Sequence, residues 1–378
     1  MKRQYWTDPE RSNFEVDLIP IGGNEFIMEP VVFHPDEGGQ PPDRGTIDDA
    51  NVLDVQFKNG KVCVKLDRDL APGKHTAKID IHTRLENSRQ HTAQHIISAI
   101  AEREYKTQTH GFHIGDATST LDLKNPINII QAEDIEMQAN KIVMMDIQVT
   151  TTFGAPGDGA RIREDLLGEN KDDLRIVSIG NIDTSACCGT HCVSTGKVGP
   201  IKIISIEGHK GGSRLTYVAG ERCIAHLQKQ DRIIRQLREI STTGIEELPQ
   251  AFQKYIDQAQ SFQKELNRLW EVLLPAEAEK AEKRQTRFGE LAVLGTDTPP
   301  KLLSKLSAII ANNTKLPAVV FTSSQPQQIS IASQSGNAKE IIAAITASFD
   351  GKGGGSPNSA SGQTGKLADT DGIIKCLS

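Results

Sequence analysis

Three of the chain's six cysteines and one of its ten histidines lie in the short stretch SACCGTHC, from Ser185 to Cys192. Thiol and imidazole groups at this density suit a disulfide knot, a redox motif, a reactive thiol or half of a metal site. Within the stretch, Cys187 and His191 are four residues apart, with a glycine between them. Cys188 and Cys192 compete with Cys187 for the thiolate role. We prefer Cys187 because its four-residue separation from His191 along the chain is the same as the separation within a second pair upstream.

That second pair is His91 and His95, in the stretch NSRQHTAQHIISAIAEREY. The stretch predicts a helix that is capped by Asn87 or Ser88 and has an apolar face of isoleucines. Residues four apart on a helix lie on the same face, so the two imidazoles can contact one ion.

Together the two pairs offer three nitrogens and one sulfur, a donor set that suits zinc. Neither spacing alone is specific, but their joint occurrence in a reduced protein indicates a metal site. We therefore predict one Zn²⁺ per chain, held by His91, His95, Cys187 and His191.

Composition narrows the class of protein. The chain has 378 residues, 37% of them hydrophobic and 24% charged, which is typical of a folded protein of two or three domains. Its N-terminus lacks the apolar run of a secretory signal, and no stretch approaches the roughly 18 apolar residues of a membrane helix. We therefore expect a cytoplasmic location, where thiols stay reduced and a disulfide knot is disfavoured. The net charge of −6 excludes a uniformly basic nucleic-acid binder, so RNA contacts would need local basic patches.

Periodicity predicts the elements that must position these residues. Residues 1–84 alternate short apolar runs with turns, including an Asn59–Gly60 hairpin signal, and predict a small β-barrel. Residues 85–220 combine the HTAQH helix and a second helix, Ala132 to Met145, with several strands. This mixture predicts an α+β domain around the metal site.

The remainder of the chain predicts an arm and a terminal domain. Residues 221–285 predict two helices in an antiparallel arm; in the second, apolar residues recur at heptad a and d positions, and Pro275 should kink or end it. Residues 290–378 return to strands and a helix around a glycine-rich segment and predict an α/β domain. The expected fold class is therefore α+β, with a barrel, a zinc-containing domain, an antiparallel helical arm and a C-terminal α/β domain.

Three motifs, in this order along the chain, resemble a known family. HTAQH and CCGTHC are similar to the paired zinc motifs of the editing domain of alanyl-tRNA synthetases, although Cys188 stands where the family has the first of two glycines. FHPDEGGQPPDRGTI, Phe33 to Ile47, resembles the family's GGQ loop. FDGKGGGSPNSASGQTGK, Phe349 to Lys366, resembles the glycine-rich signature of the DHH-associated domain. With no match to the large aminoacylation domain, the chain resembles the free-standing alanyl-tRNA editing proteins, the long form of the AlaX group.

The resemblance implies hydrolysis of the ester that joins a wrong amino acid, chiefly serine and also glycine, to tRNA(Ala), by a protein acting in trans. Binding alone separates amino acids that differ by one small group only about a hundredfold, so a second, hydrolytic site is needed. Two alternatives stay open: an editing protein for another aminoacyl-tRNA, and a non-catalytic, zinc-containing tRNA-binding module. The sequence also leaves open whether zinc activates water or positions the substrate; four protein ligands favour positioning.

No catalytic residue is assigned, but two residues are candidates for positioning the substrate. Thr109 stands where the family places a pocket hydroxyl, although a solvated strand threonine explains it equally well. Gln40 of the GGQ loop has an amide that can both donate and accept hydrogen bonds.

Candidate tRNA contacts are Lys210, Arg214, Gly353, Gly354 and Gly355. The two basic residues belong to a locally basic segment that can follow phosphates, and a solvated surface is the alternative. Consecutive glycines can expose backbone N–H groups to an anion, with a flexible linker as the alternative. The P-loop pattern is absent, so ATP binding is not expected. The resemblance implies that the C-terminal domain contacts tRNA and helps to form a homodimer.

Overall fold

The computed structural model describes residues 3–154, 161, 174–366 and 368–378. It divides into two compact units, Met1–Gln236 and Leu237–Ser378. In this described part of the chain, no helix combines the length and the apolar character that crossing a membrane requires.

The first unit begins with a closed barrel of six strands. They are β1 (Asn13–Gly22), β2 (Glu25–Glu29), β3 (Gly45–Ile47), β4 (Ala50–Lys58), β5 (Lys61–Leu66) and β6 (Gly73–Ile79). Their order around the barrel is β1–β2–β5–β4–β3–β6. Phe14, Val16 and Leu18 are buried at alternate positions of β1, as a strand with one face on a core requires. Asn59 and Gly60 have φ of 49° and 77° between β4 and β5, so the predicted hairpin turn is confirmed.

A region of helices and two sheets follows the barrel. Its elements are α1 (Ile81–Tyr105), β7 (Thr109–Ile114), β8 (Ser119–Leu123), α2 (Ile129–Met144), β9 (Val149–Gly154), β10 (Leu174–Ile179), β11 (Asp183–Ala186), β12 (Ile201–His209), β13 (Gly212–Ala219) and α3 (Glu221–Ser241). One antiparallel sheet has the order β12–β13–β8–β7, and a second has the order β11–β10–β9. Ile96, Ile97 and Ile100 of α1 are fully buried in a core shared with α2 and the larger sheet, which confirms the predicted apolar face.

Helix α1 begins earlier than the sequence pattern indicated. Asp80, not Asn87 or Ser88, is the N-cap, and its side chain accepts a hydrogen bond from the backbone N–H of Thr83. Asn87 and Ser88 are instead buried inside the helix. The prediction was wrong because the first turns carry few apolar residues, so the local pattern hid them. Helix α2 likewise begins at Ile129, three residues before the expected Ala132, behind a capping box.

The second unit is built on one mixed sheet with helices on both faces. Its elements are α4 (Leu248–Ala278), β14 (Glu282–Thr286), β15 (Gly289–Thr296), α5 (Leu303–Thr314), β16 (Ala318–Thr322), β17 (Gln327–Ala332), α6 (Ala338–Ser348), β18 (Lys352–Gly355), β19 (Ser359–Thr364) and α7 (Thr370–Leu377). The sheet order is β14–β15–β16–β17–β19–β18, and only β15 and β16 pair in parallel. Helix α5 and the end of α4 cover one face, and α6 and α7 cover the other. Strand β14 lies in the range expected for the arm but pairs with β15.

Helix α4 carries the predicted heptad stripe, and much of that stripe is exposed. Phe262 and Leu269 are 73% and 51% exposed. Pro275 lies inside the helix, which continues to Ala278, so the proline does not end it. Helix α3 crosses the boundary between the two units, and the antiparallel arm stays a prediction.

The glycine-rich segment is a strand rather than an anion-binding loop or a linker. Residues Lys352–Gly355 form β18 at the edge of the sheet, paired with β19. Successive N–H groups of a strand point in opposite directions, so they do not converge on one anion as the sequence reasoning supposed. Close packing explains two of the glycines: a Cβ on Gly353 would lie 2.9 Å from Ile342, and one on Gly355 would lie 2.3 Å from the carbonyl oxygen of Ser359.

Candidate metal centre

The structure brings the four predicted metal ligands together. His91 and His95 project from one face of α1, and Cys187 and His191 lie in the turn that follows β11. One ligand atom from each residue lies within 4.8 Å of the others, and all four side chains are buried. The Sγ atom of Cys187 is 3.4 Å from Nε2 of His91 and 3.2 Å from Nε2 of His191.

Each imidazole is held by a hydrogen bond at its other nitrogen. Nδ1 of His91 is 2.8 Å from Oε1 of Gln40, and Nδ1 of His95 is 2.7 Å from a carboxylate oxygen of Asp183. Nδ1 of His191 is 3.3 Å from Oγ1 of Thr92. Such partners fix the ring orientation of metal-binding histidines and leave Nε2 for the ion.

The turn that carries Cys187 is fixed by side chains from outside it. Arg175 donates hydrogen bonds to the carbonyl oxygens of Cys187 and Gly189, and Trp6 Nε1 donates to that of Cys188 at 2.8 Å. A Cβ on Gly189 would lie 2.2 Å from Cε1 of His91, so only glycine fits there.

The electrostatics favour a thiolate within the cluster. Burial raises the pKa of Cys187, but His91 and His191 outweigh burial and hold that pKa well below its usual value. Burial lowers the pKa of His191 to about 3. Burial also lowers the pKa of His95, yet hydrogen bonds to Asp183 and Cys187 outweigh it and raise this pKa to about 9. A cation would therefore meet a deprotonated sulfur and would displace a proton from His95.

The donor set and its spacing fit zinc. A tetrahedral site with Zn–N of about 2.0–2.1 Å and Zn–S of about 2.3 Å places nitrogen and sulfur roughly 3.5 Å apart. The two observed sulfur–nitrogen distances, 3.4 and 3.2 Å, are close to that value. Three imidazoles and one thiolate are also ligands that zinc commonly takes.

The neighbouring cysteines have a different character. Burial raises the pKa of Cys188 and of Cys192 to about 12, so both are neutral thiols. Neither belongs to the metal-binding cluster.

Gln40 and Thr109 lie at different places relative to the cluster. Gln40 is fully buried. Its Oε1 contacts Nδ1 of His91 and also accepts a hydrogen bond from the backbone N–H of Thr190. Its Nε2 donates a hydrogen bond to the Thr190 hydroxyl. The Gln40 amide is therefore engaged in holding the cluster. Thr109 is half-buried in β7, and its hydroxyl lies 2.6 Å from that of Ser98 on α1. Their roles toward a substrate stay predictions.

Sequence reasoning missed the residues that support the ligands. Thr92 lies inside HTAQH and Thr190 inside CCGTHC, so the motifs themselves could have indicated them. Asp183 lies four residues before Cys187, close enough to be considered. Arg175 and Trp6 gave no signal, because nothing local connects them with the metal pairs.

The candidate tRNA contacts are spread over both units. Lys210 is exposed in the turn between β12 and β13, and Arg214 on β13 forms an ion pair with Asp122, with Nε and Oδ1 2.6 Å apart. The glycines Gly353, Gly354 and Gly355 lie in β18 of the second unit.

Comparison with known proteins gives the following relatives. Residues 174–216 match the family described as the threonyl and alanyl tRNA synthetase second additional domain. Alanine–tRNA ligase of Methanococcoides burtonii is 27% identical over 394 residues, covering 96% of this chain, and that of Methanopyrus kandleri is 29% identical over 309 residues, covering 76%. The alignments span 42% and 34% of those two ligases.

A solved structure also matches part of the chain. The C-Ala domain of Aquifex aeolicus alanyl-tRNA synthetase aligns with 26% of this chain and 98% of its own, at 20% identity and a TM-score of 0.23. The sequence matches carry the relationship: residues 174–216 match the second additional domain, and the chain is similar to alanyl-tRNA synthetases over nearly its whole length.

Proposed function

We propose that this chain is a zinc-dependent aminoacyl-tRNA deacylase that acts in trans on tRNA(Ala) mischarged with serine, and also with glycine. Its relatives are alanine–tRNA ligases, which supports tRNA(Ala) as the partner. A cytoplasmic location and a homodimer formed through the C-terminal domain belong to the same proposal.

The observation that carries the proposal is the buried cluster of three imidazoles and one thiolate. A bound zinc ion would supply positive charge beside the ester carbonyl. Gln40, Asp183 and Thr92 hold the three imidazoles, so the site is organised before substrate arrives. Because four protein donors fill a tetrahedral shell, we propose that the centre positions the ester.

Selectivity must come from a polar group, because alanine is smaller than serine and enters any pocket that admits serine. We assign this role to Thr109. Its hydroxyl is the end of a chain of hydrogen bonds that begins at Gln94, the residue before His95. Gln94 Nε2 donates to Ser98 Oγ at 2.8 Å, and Ser98 Oγ in turn is hydrogen-bonded to the Thr109 hydroxyl. A serine hydroxyl that joined this chain would be recognised, and alanine would leave it incomplete.

Recognition of the tRNA body is assigned to Lys210, to Arg214 and to strand β18 with Gly353, Gly354 and Gly355; as an exposed edge strand, β18 would contact the RNA through separate backbone groups that do not converge on one phosphate. Lys210 is exposed and can contact a phosphate directly. Arg214 would have to share its guanidinium between Asp122 and a phosphate.

The test is a deacylation assay with the full zinc-loaded chain on serine, glycine and alanine esters of tRNA(Ala). We expect serine to be released and alanine to be spared; glycine, which also lacks the hydroxyl, should be released more slowly than serine, and Cys187→Ala should be inactive. Serine on tRNA(Thr) is the control that separates an alanyl from a threonyl editing protein. If none of the esters is hydrolysed faster than in buffer, the deacylase proposal is wrong.

The selectivity assignment is tested with Thr109→Val, which keeps the shape and removes the hydroxyl. Loss of a hydrogen bond of about 1–3 kcal/mol should slow serine release by roughly tenfold or more without slowing alanine release. Thr120→Val, on the other face of the same sheet, is the matched control. Equal serine rates in the two variants would contradict the assignment.

A further inference from the structure

Helix α2 presents an apolar face to solvent. Its inner side packs into the core that it shares with α1 and the larger sheet. On its outer side five large apolar side chains are between 54% and 76% exposed: Ile129, Ile130, Met137, Met144 and Met145. Three of the chain's five methionines lie on this apolar face of α2. Contiguous exposed apolar surface marks an interaction site, and methionine is common at such sites.

The shape of the apolar face fits a second helix. Ile130, Met137 and Met144 recur every seven residues, and this spacing keeps their side chains in one line along the helix. Helices that pack against each other use the same spacing. The 16 residues of α2 make the face about 24 Å long.

The apolar face is symmetric about Met137. Ile130 lies seven residues before Met137 and Met144 seven residues after it. Ile129 and Met145 lie eight residues before and eight residues after it. A second copy of α2 that runs in the opposite direction, related by a two-fold axis at Met137, therefore brings each apolar residue level with an apolar residue of the other copy. A two-fold interface requires such a self-complementary surface.

The charges on the face select the antiparallel direction. Glu133 lies four residues before Met137, Lys141 lies four residues after it, and both side chains are exposed. In the antiparallel pair, Glu133 of each copy is level with Lys141 of the other, so two ion pairs can form across the interface. In a parallel pair each residue would face its own copy, and like charges repel each other.

The acidic residues that border the face are already bound within the chain. Glu136, on one side, forms an ion pair with Lys202, with Oε1 and Nζ 2.9 Å apart. Asp134, on the other side, accepts hydrogen bonds from the Tyr105 hydroxyl and from Gln138. An apolar centre with a satisfied polar border is the usual arrangement of a protein–protein interface.

We propose that the apolar face of α2 is a homodimer interface, in which two copies of the chain pair their α2 helices antiparallel about a two-fold axis at Met137. The interface lies in the first unit, so it is distinct from the homodimer proposed for the C-terminal domain. Contact through one helix of each copy buries less than the about 1,600 Å² of a standard interface. We therefore expect a dissociation constant in the micromolar range.

Disulfide cross-linking of the full zinc-loaded chain tests the position of the axis. Two helices 8–10 Å apart place the two Cα atoms of a residue on the axis about 5 Å apart, which a disulfide can span. Met137→Cys should therefore form a cross-linked dimer in a glutathione buffer at about 100 µM protein, a concentration that populates a micromolar dimer.

The flanking positions are the matched controls. Ile130→Cys alone should not cross-link, because its two copies would lie about 21 Å apart along the helix axes, and the same holds for Met144→Cys alone. A mixture of the Ile130→Cys and Met144→Cys proteins should cross-link. The wild-type chain gives the background from its native cysteines, and zinc content and melting temperature show that each variant is folded.

Charge reversal tests the antiparallel direction. Lys141→Glu, added to Met137→Cys, should lower the equilibrium constant for cross-linking by roughly fivefold to tenfold, because it replaces two attractions by two repulsions. Adding Glu133→Lys as well should restore it. Lys61→Glu, at an exposed position of β5, is the matched control and should not change it.

Three results would each overturn the proposal: no cross-linking of Met137→Cys above the wild-type background, equal cross-linking of Ile130→Cys alone, or no recovery in the charge-swapped variant. A different protein would then have to cover the face. Because no ester is hydrolysed in this assay, the result is independent of the proposed deacylase activity.

Discussion

At the scale of single residues, the metal set makes the sharpest prediction. Replacing any one of His91, His95, Cys187 and His191 by alanine should remove most of the zinc, because the remaining three donors form an incomplete tetrahedron. Metal analysis of the purified chain measures this. Cys188→Ala and Cys192→Ala are matched controls, since both thiols lie outside the cluster, and both variants should retain about one zinc per chain. Full zinc in the Cys187→Ala protein would show that the sulfur ligand is misassigned.

The partners of the ligands make a second prediction at the same scale. Gln40→Ala should lower zinc affinity by about 10–100-fold, because it frees Nδ1 of His91 and leaves the N–H of Thr190 unpaired. Competition with a chelator measures the affinity. Gln56→Ala, in strand β4 of the same barrel, is the control and should not change it. Unchanged affinity in Gln40→Ala would mean that the ring of His91 is fixed by packing alone.

At the scale of elements, helix α1 carries two of the proposed metal ligands, so its first turn should matter for stability. Asp80→Ala removes the N-cap and should lower the free energy of unfolding by about 1 kcal/mol. Urea denaturation of the zinc-loaded chain measures the loss. Asp69→Ala, at an exposed position in the loop before β6, serves as the control and should be nearly neutral. Equal stability of the two variants would contradict the cap.

At the scale of the whole molecule, the two units separate the metal site from the glycine-rich strand. A fragment of residues 1–241 keeps the barrel, the proposed metal ligands and all of α3. We expect it to bind zinc and to retain its single-turnover rate at saturating enzyme, while its affinity for tRNA falls. Rates at rising enzyme concentration separate the two effects. A folded, zinc-loaded fragment that stays inactive at saturation would assign more than tRNA binding to the second unit.

The sequence by itself determined which four residues form the buried His–Cys cluster, the apolar face of α1, the β4–β5 hairpin and several strands of the second unit. These features are local: four-residue spacing places two side chains on one face of a helix, and an Asn–Gly pair between two strands favours the positive φ of a hairpin turn. The first residue of a helix was predicted less accurately than its apolar face, because Asp80 caps α1 before any apolar periodicity begins.

Only the tertiary structure decided what surrounds the ligands. Gln40 comes from the loop between β2 and β3, Arg175 from β10 and Asp183 from β11, and each reaches the cluster through folding of segments that share no local pattern. The glycine run became a strand because β19 supplies its hydrogen-bond partners and Ile342 leaves no room for a side chain on Gly353. Spacing along the chain encodes which residues share a face, whereas burial and pairing depend on neighbours that only the folded chain brings near.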